Sequence, residues 1–165
     1  MDFSAVYERY VQDVYRFSLY LSGNQTLAED ITSETFVHAF WGPSDLRVDT
    51  VKAYLLRIAR NLYRNVIARE RRAVSIDDIP EQMQSAPSPE QTTEDRQTLS
   101  NVLKAIQKLP EQQREALVLA IDRELRYEQI AAILGCSVAA VKVRIHRARL
   151  QLKAELEIEE RPWTT

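Results

Sequence analysis

Glycine is scarce in this sequence, with three in 165 residues, and Gly23, Gly42 and Gly135 each stand at a break between helical patterns. No stretch alternates apolar with polar residues long enough to make a strand, so the pattern predicts an all-α chain. A single cysteine, Cys136, excludes an intramolecular disulfide and a multi-cysteine zinc site, and it fits a reducing compartment such as the cytoplasm. Long apolar runs are missing too. Met1 to Leu21 is interrupted by Asp2, Glu8, Arg9, Asp13 and Arg16, so neither a leader nor membrane insertion is expected. Histidine occurs only at 38 and 146. Asp30, Glu34 and His38 share one helical face at i, i+4 and i+8, but a helical di-metal site wants Glu-x-x-His pairs from two helices, and the chain has no second set. The expectation is a protein that is not an enzyme and holds no metal or cofactor.

What the chain has in quantity is charge, 28% of its residues, beside a 45% hydrophobic content that suffices for packed cores in one domain or two. The net charge of −2 conceals strong segregation. Met1 to Thr50 holds eight acids against three arginines, 3 − 8 = −5; Arg57 to Arg72 holds six arginines against Glu70, 6 − 1 = +5. Asp77 to Asp95 then carries six acids and no base, and Val138 to Lys153 carries five bases and no acid. Two basic patches separated by an acidic connector suit a protein that grips an anionic partner at two sites.

Helical spacing organises the flanks of that connector. Phe3, Val6, Tyr7, Tyr10, Val14, Phe17 and Leu21 form one apolar stripe, stopped by Ser22-Gly23-Asn24. A second helix is expected from Thr26, with Glu29 at capping-box spacing, to Gly42-Pro43, its core face being Leu27, Ile31, Phe36, Ala39 and Phe40 with Trp41 at the end. After a polar loop, a long helix buries Val51, Tyr54, Leu55, Ile58, Leu62 and Val66. Its other side carries Arg57, Arg60, Asn61, Arg64 and Asn65, a mixture suited to phosphate contact and base-edge hydrogen bonding, with Tyr54 available for stacking. Val74 to Asp95 contains half of the prolines and reads as a linker. Patterning returns at Leu99, Val102, Leu103 and Ile106, halts at Leu109-Pro110 and resumes through Leu117, Val118 and Ile121.

The most informative stretch follows. Tyr127, Ile130, Ala131 and Leu134 before a break, and Val138, Val141, Ile145, Ala148 and Leu152 after it, make two amphipathic helices joined by Gly135-Cys136-Ser137, with a left-handed cap at Gly135 and a hydroxyl cap at Ser137. If Val141, Ile145, Ala148 and Leu152 face inward, Ala139, Lys142, Val143, His146 and Arg147 face outward as one stripe, flanked by Arg144, Arg149 and Lys153. A helix-turn-helix with a cationic second helix is the outline of a DNA reader, although a hairpin with a merely solvated charged face has the same pattern.

Several long motifs, in order, resemble an extracytoplasmic-function (ECF) sigma factor of bacterial RNA polymerase. LAEDITSETFVHAFW resembles the region 2 helix that docks on the polymerase clamp, AYLLRIARNLYRNVIARERR the promoter-melting helix after it, and LPEQQREALVLA with YEQIAAILGCSVAAVKVRIHRAR resembles region 4. The resemblance implies region 2 over 1–73, a linker over 74–95, region 4 over 96–158 and a tail over 159–165. It also implies core RNA polymerase, promoter DNA and an anti-sigma factor as partners. Asp30, Ser33, Glu34 and Phe36 would meet the polymerase, and the loop 42–50 would hold a flipped base. Tyr54, Arg57, Arg60, Asn61, Arg64 and Asn65 would lie at the minus-ten element, and Ala139, Lys142, Val143, Arg144, His146, Arg147 and Arg149 at minus thirty-five. The family commonly has Ser where Val143 stands, and the apolar side chain favours a thymine methyl over a hydrogen bond. The alternative reading is a helix-turn-helix regulator that binds duplex DNA without polymerase. The linker's 22 residues reach at most about 73–79 Å, yet average about 26 Å as a relaxed coil, so the domains of the free protein are expected to lie close together. Their basic faces are then open to cover by the acidic linker, by each other or by an anti-sigma protein.

Overall fold

The computed structural model describes residues 2–42, 50–74 and 93–156, and all regular structure among them is helical. The helices in order are α1 (Phe3–Ser22), α2 (Gln25–Trp41), α3 (Val51–Val74), α4 (Thr93–Gln107), α5 (Glu111–Ile121), α6 (Tyr127–Leu134) and α7 (Val138–Glu155). Val74 is thus the last residue of α3 and Thr93 the first of α4, which trims both ends of the expected linker; its remainder, like the tail, lies outside the described residues.

The α1–α2 hairpin turns at Gly23, whose φ of 67° is left-handed and whose N–H donates to the Leu19 carbonyl at 2.7 Å. Asn24, extended immediately after it, accepts from the Leu27 N–H at 3.2 Å and caps α2. The capping box expected at Thr26 and Glu29 is therefore not formed, because the stronger cap two residues earlier starts the helix first. Ile31 and Phe36 are buried, and the hydroxyls of Thr32 and Thr35 donate to the Ala28 and Ile31 carbonyls, which lets two polar side chains sit in the core. Phe40 and Trp41, expected in the core, are instead 55% and 79% exposed. Phe3 of α1 meets Phe40 with ring centroids 4.7 Å apart and Trp41 packs on Phe40 at 5.1 Å, because α1 begins at Phe3, opposite the last turn of α2.

Helix α3 departs from its expected stripe. Of Val51, Tyr54, Leu55, Ile58, Leu62 and Val66, only Leu55 is fully buried, while Ala53, Leu56, Ala59 and Tyr63 join it inside. The reason is that α3 packs against α1 and α2 on one side and α6 on the other, so its buried arc is wider than one amphipathic stripe. One buried cluster runs through both halves of the chain, from Phe17, Leu56 and Tyr63 to Val118, Leu119, Ile130 and Ile133. α1 also packs on α4 and α5, so the halves touch directly, as the short relaxed span of the linker led us to expect. Arg114 of α5 joins three elements. Its guanidinium donates to the Ile106, Gln107 and Leu109 carbonyls at 3.2, 2.7 and 2.9 Å, satisfying the end of α4, and to the Tyr63 hydroxyl of α3 at 2.9 Å.

Candidate nucleic-acid interface

The helix-turn-helix forms at the expected residues. α6 and α7 meet at 95°. Gly135 has a φ of 66°, and Ser137 accepts from the Ala140 N–H at 3.1 Å to cap α7. Val141, Ile145 and Ala148 are buried and Val138 and Leu152 half-buried, so the opposite face projects into solvent. Ala139, Lys142, Val143, His146 and Arg147 are all exposed on it, Arg149 is exposed on the flank, and Arg144 is half-buried. A shallow groove runs beside this face, walled by the start of α5 (Pro110, Glu111, Gln113) and by Arg71 at the end of α3. No acid lies on α7 before Glu155, so the stripe offers base-edge donors, an apolar Val143 surface and phosphate-binding cations together.

The basic face of α3 is divided. Asn61, Arg64 and Asn65 are exposed, Tyr54 and Arg57 half-buried. Arg60 is turned into the junction between the halves, its side chain 11% exposed. Its Nε and Nη2 lie 3.3 and 3.2 Å from Glu115 Oε2, and its Nη1 donates to the Ile133 carbonyl at 3.3 Å. Further along, Arg71 pairs with Glu111 at 2.9 Å. Near the start of α3, the buried Lys52 ammonium is held by Asp122, by Glu124 at 3.2 Å and by Asp13 at 3.5 Å. Burial alone lowers the Lys52 pKa, but the hydrogen bonds to Asp122 and Glu124 and the charges of Asp122 and Asp13 outweigh it, leaving the group above the ordinary lysine value. Burial likewise pushes the Tyr63 hydroxyl up; the Arg114 charge opposes this and Glu111 adds to it.

On α2, Asp30, Ser33 and Glu34 lie exposed on one face, with His38 Nε2 3.7 Å from Glu34. Phe36 does not join them. It is 3% exposed, packed edge-on against Tyr7 at 4.9 Å, so it supports the face from the core and makes no surface of its own. Of the loop 42–50 expected to hold a base, residues 43–49 lie outside the described residues. Lys52, Glu115, Asp122 and Glu124 were not singled out from sequence. Nothing in the sequence beside any of them marks it out, and only the packing of the two halves brings the three acids to Lys52 and Arg60 of α3.

The comparisons with known proteins agree along the chain. Residues 6–73 match the Sigma-70 region 2 family and residues 99–152 match Sigma-70, region 4. The ECF RNA polymerase sigma factor SigM of Bacillus subtilis is 34% identical over 157 residues, 93% of this chain and 94% of that protein. The ECF RNA polymerase sigma factor SigE of Mycolicibacterium smegmatis is 37% identical over 85% of this chain, which spans 56% of that longer relative. Among solved structures, the sigma factor RpoE of Bartonella quintana, in complex with the anti-sigma factor NepR, superposes with a TM-score of 0.79 at 26% identity, covering 96% of this chain and 98% of that one. With regions 2 and 4 matched in order and a relative aligned over nearly its whole length, the chain belongs to the ECF RNA polymerase sigma factors.

Proposed function

We propose that this chain joins core RNA polymerase through Asp30, Ser33 and Glu34 of α2, with Phe36 setting the helix beneath them, and carries the polymerase to promoters through two DNA-reading helices. The observation that carries the reading is the exposed cationic stripe on the second helix of a helix-turn-helix, in a chain of this family. Lys142, Val143, His146 and Arg147 enter the major groove at minus thirty-five, Ala139 lets the helix approach closely, and Arg144 and Arg149 hold the phosphates on either side. Tyr54, Arg57, Arg60, Asn61, Arg64 and Asn65 act at minus ten, where arginines grip the backbone while asparagines and tyrosine engage opened bases. The division into region 2 up to about residue 73 and region 4 from about residue 96 belongs to the same reading, and so does work in the cytoplasm without catalysis by the chain itself. RpoE, similar in structure to this chain, was solved with the anti-sigma factor NepR, and CnrH, also similar, with the cytosolic domain of CnrY, which supports an anti-sigma partner here.

Polymerase dependence tests the proposal. Purified protein should co-elute with core polymerase and should shift promoter DNA to a sequence-specific complex only when core enzyme is present. A specific shift of equal affinity without polymerase would make the chain an independent regulator and overturn the reading.

A further inference from the structure

Among the described residues, the ion pairs seen between the two halves share one polarity. In each, the cation belongs to α3 and the acids come from α5 or the connection after it: Lys52 to Asp122 and Glu124, Arg60 to Glu115, Arg71 to Glu111. The order is antiparallel along both segments. From Lys52 to Arg71 is about 29 Å of helix at 1.5 Å per residue, so a strip of carboxylates tracks the cationic side of α3 for most of its length. Glu115 lies midway. Its side chain is 4% exposed and faces Arg60 through two guanidinium nitrogens, with Arg64 Nε at 3.9 Å. Both Arg60 nitrogens converge on the single oxygen Oε2, and a guanidinium grips one oxygen of a phosphate with the same pair of donors.

We propose that Glu115, with Glu111, Asp122 and Glu124 beside it, is an internal stand-in for the promoter backbone, holding the free protein closed by occupying the cations of α3 that DNA needs. This rests on the assignment of α3 to promoter binding. Opening frees Arg60 for phosphate and returns Glu115 to water, so the two partners compete for one site. DNA affinity of the free chain is then reduced by the fraction of molecules that are open. Separation of the halves also uncovers apolar surface now shared by Leu56, Tyr63, Val118 and Ile130, which adds to the cost of opening until another surface covers it.

The test uses the full chain and a short fluorescein-labelled single-stranded DNA of mixed sequence, with binding read by anisotropy. Glu115→Gln should bind on the order of tenfold tighter than wild type, the effect of losing a charge-assisted hydrogen bond in the closed state, and should show a larger radius of gyration in X-ray scattering. Glu8→Gln, on the exposed face of α1, makes the same change in net charge and should move affinity by less than about twofold. If Glu115→Gln fails to fold, the Asp122→Asn/Glu124→Gln pair, which releases Lys52, is expected to open the chain and tighten binding in the same way. A folded variant with wild-type affinity and wild-type dimensions overturns the proposal, and so does one that binds DNA more weakly. Transcription by the holoenzyme separates the two claims. If wild-type holoenzyme finds no promoter, the reading of α3 as a promoter helix fails, whereas the comparison of free wild type with Glu115→Gln still decides whether the strip competes with DNA.

Discussion

Arg147 and Arg149 stand two positions apart on α7 and, on the proposed reading, would face different parts of a duplex, since two residues turn a helix by more than half a circle. Arg147 shares the outward stripe with Lys142, Val143 and His146, and Arg149 lies at its edge. Replacing Arg147 with Ala should cost about 1–3 kcal/mol and relax base preference at one position; losing Arg149 should weaken all sites alike and flatten the salt dependence. Equal effects across a panel of altered minus-thirty-five sites would show that the stripe is misassigned. The two left-handed glycines make a second contrast. At Gly135 a new Cβ meets nothing within 4 Å, so Gly135→Ala should cost only the strain of its backbone, about 1–2 kcal/mol in chemical denaturation. At Gly23 the Cβ arrives 2.8 Å from the Gln107 side chain, whose Nε2 donates to the Tyr20 carbonyl at 2.9 Å. Gly23→Ala should therefore cost about 1 kcal/mol more through that displaced bond. At this scale the sequence was most legible at the helix-turn-helix, because Gly135 and Ser137 announce its boundaries by local chemistry alone. Glu115 was not legible at all. A glutamate inside a helical pattern is normally solvated, and nothing local indicates that Arg60, 55 positions earlier, will bury it.

Helix α2 separates surface from support within one element. Reversing charge at both Asp30 and Glu34, which are exposed and one turn apart, should abolish co-elution with core polymerase while the thermal melt stays within about 0.5 kcal/mol of wild type. Phe36→Ala removes a core ring instead and should cost about 3–5 kcal/mol, losing polymerase binding through loss of fold. If the charge-reversed protein still assembles, the docking face lies elsewhere; if Phe36→Ala melts like wild type, the ring is not the support described. Periodicity located α1, α2 and the two helices of the helix-turn-helix because each buries one face against a near neighbour in sequence. It misjudged α3 for a physical reason. Lys52 and Tyr63 meet Asp122, Glu124 and Arg114 of the distant half, Leu56 lies beside Val118 and Leu119, and no window of local sequence contains that half. The overhanging Phe40 and Trp41 failed in the opposite sense, being apolar in register with a core that ends one turn too soon.

At the scale of the molecule, the halves are joined by a shared core and by ion pairs whose protonation sets a pH window. Lys52 and Tyr63 both have folded pKa values above their ordinary 10.5 and 10.0, so the stability they contribute is complete below those values and is lost as pH rises through the higher folded ones. Denaturation midpoints should therefore owe no pH dependence to these groups between about pH 7 and 9 and should fall above about pH 10. Lys52→Met, which keeps length without charge, should flatten part of that alkaline fall; an unchanged profile would show that the Lys52 pairs do not couple to stability. The wider account is of a two-site promoter reader that acts with polymerase, and the most direct test is transcription of total genomic DNA by purified core enzyme with and without this protein, followed by mapping of transcript starts. The account predicts a discrete set of new starts that share two upstream motifs at a fixed spacing, lost with Arg147→Ala or with Asp30 and Glu34 reversed. No new starts, or the same sites bound equally well by the protein without polymerase, would contradict it.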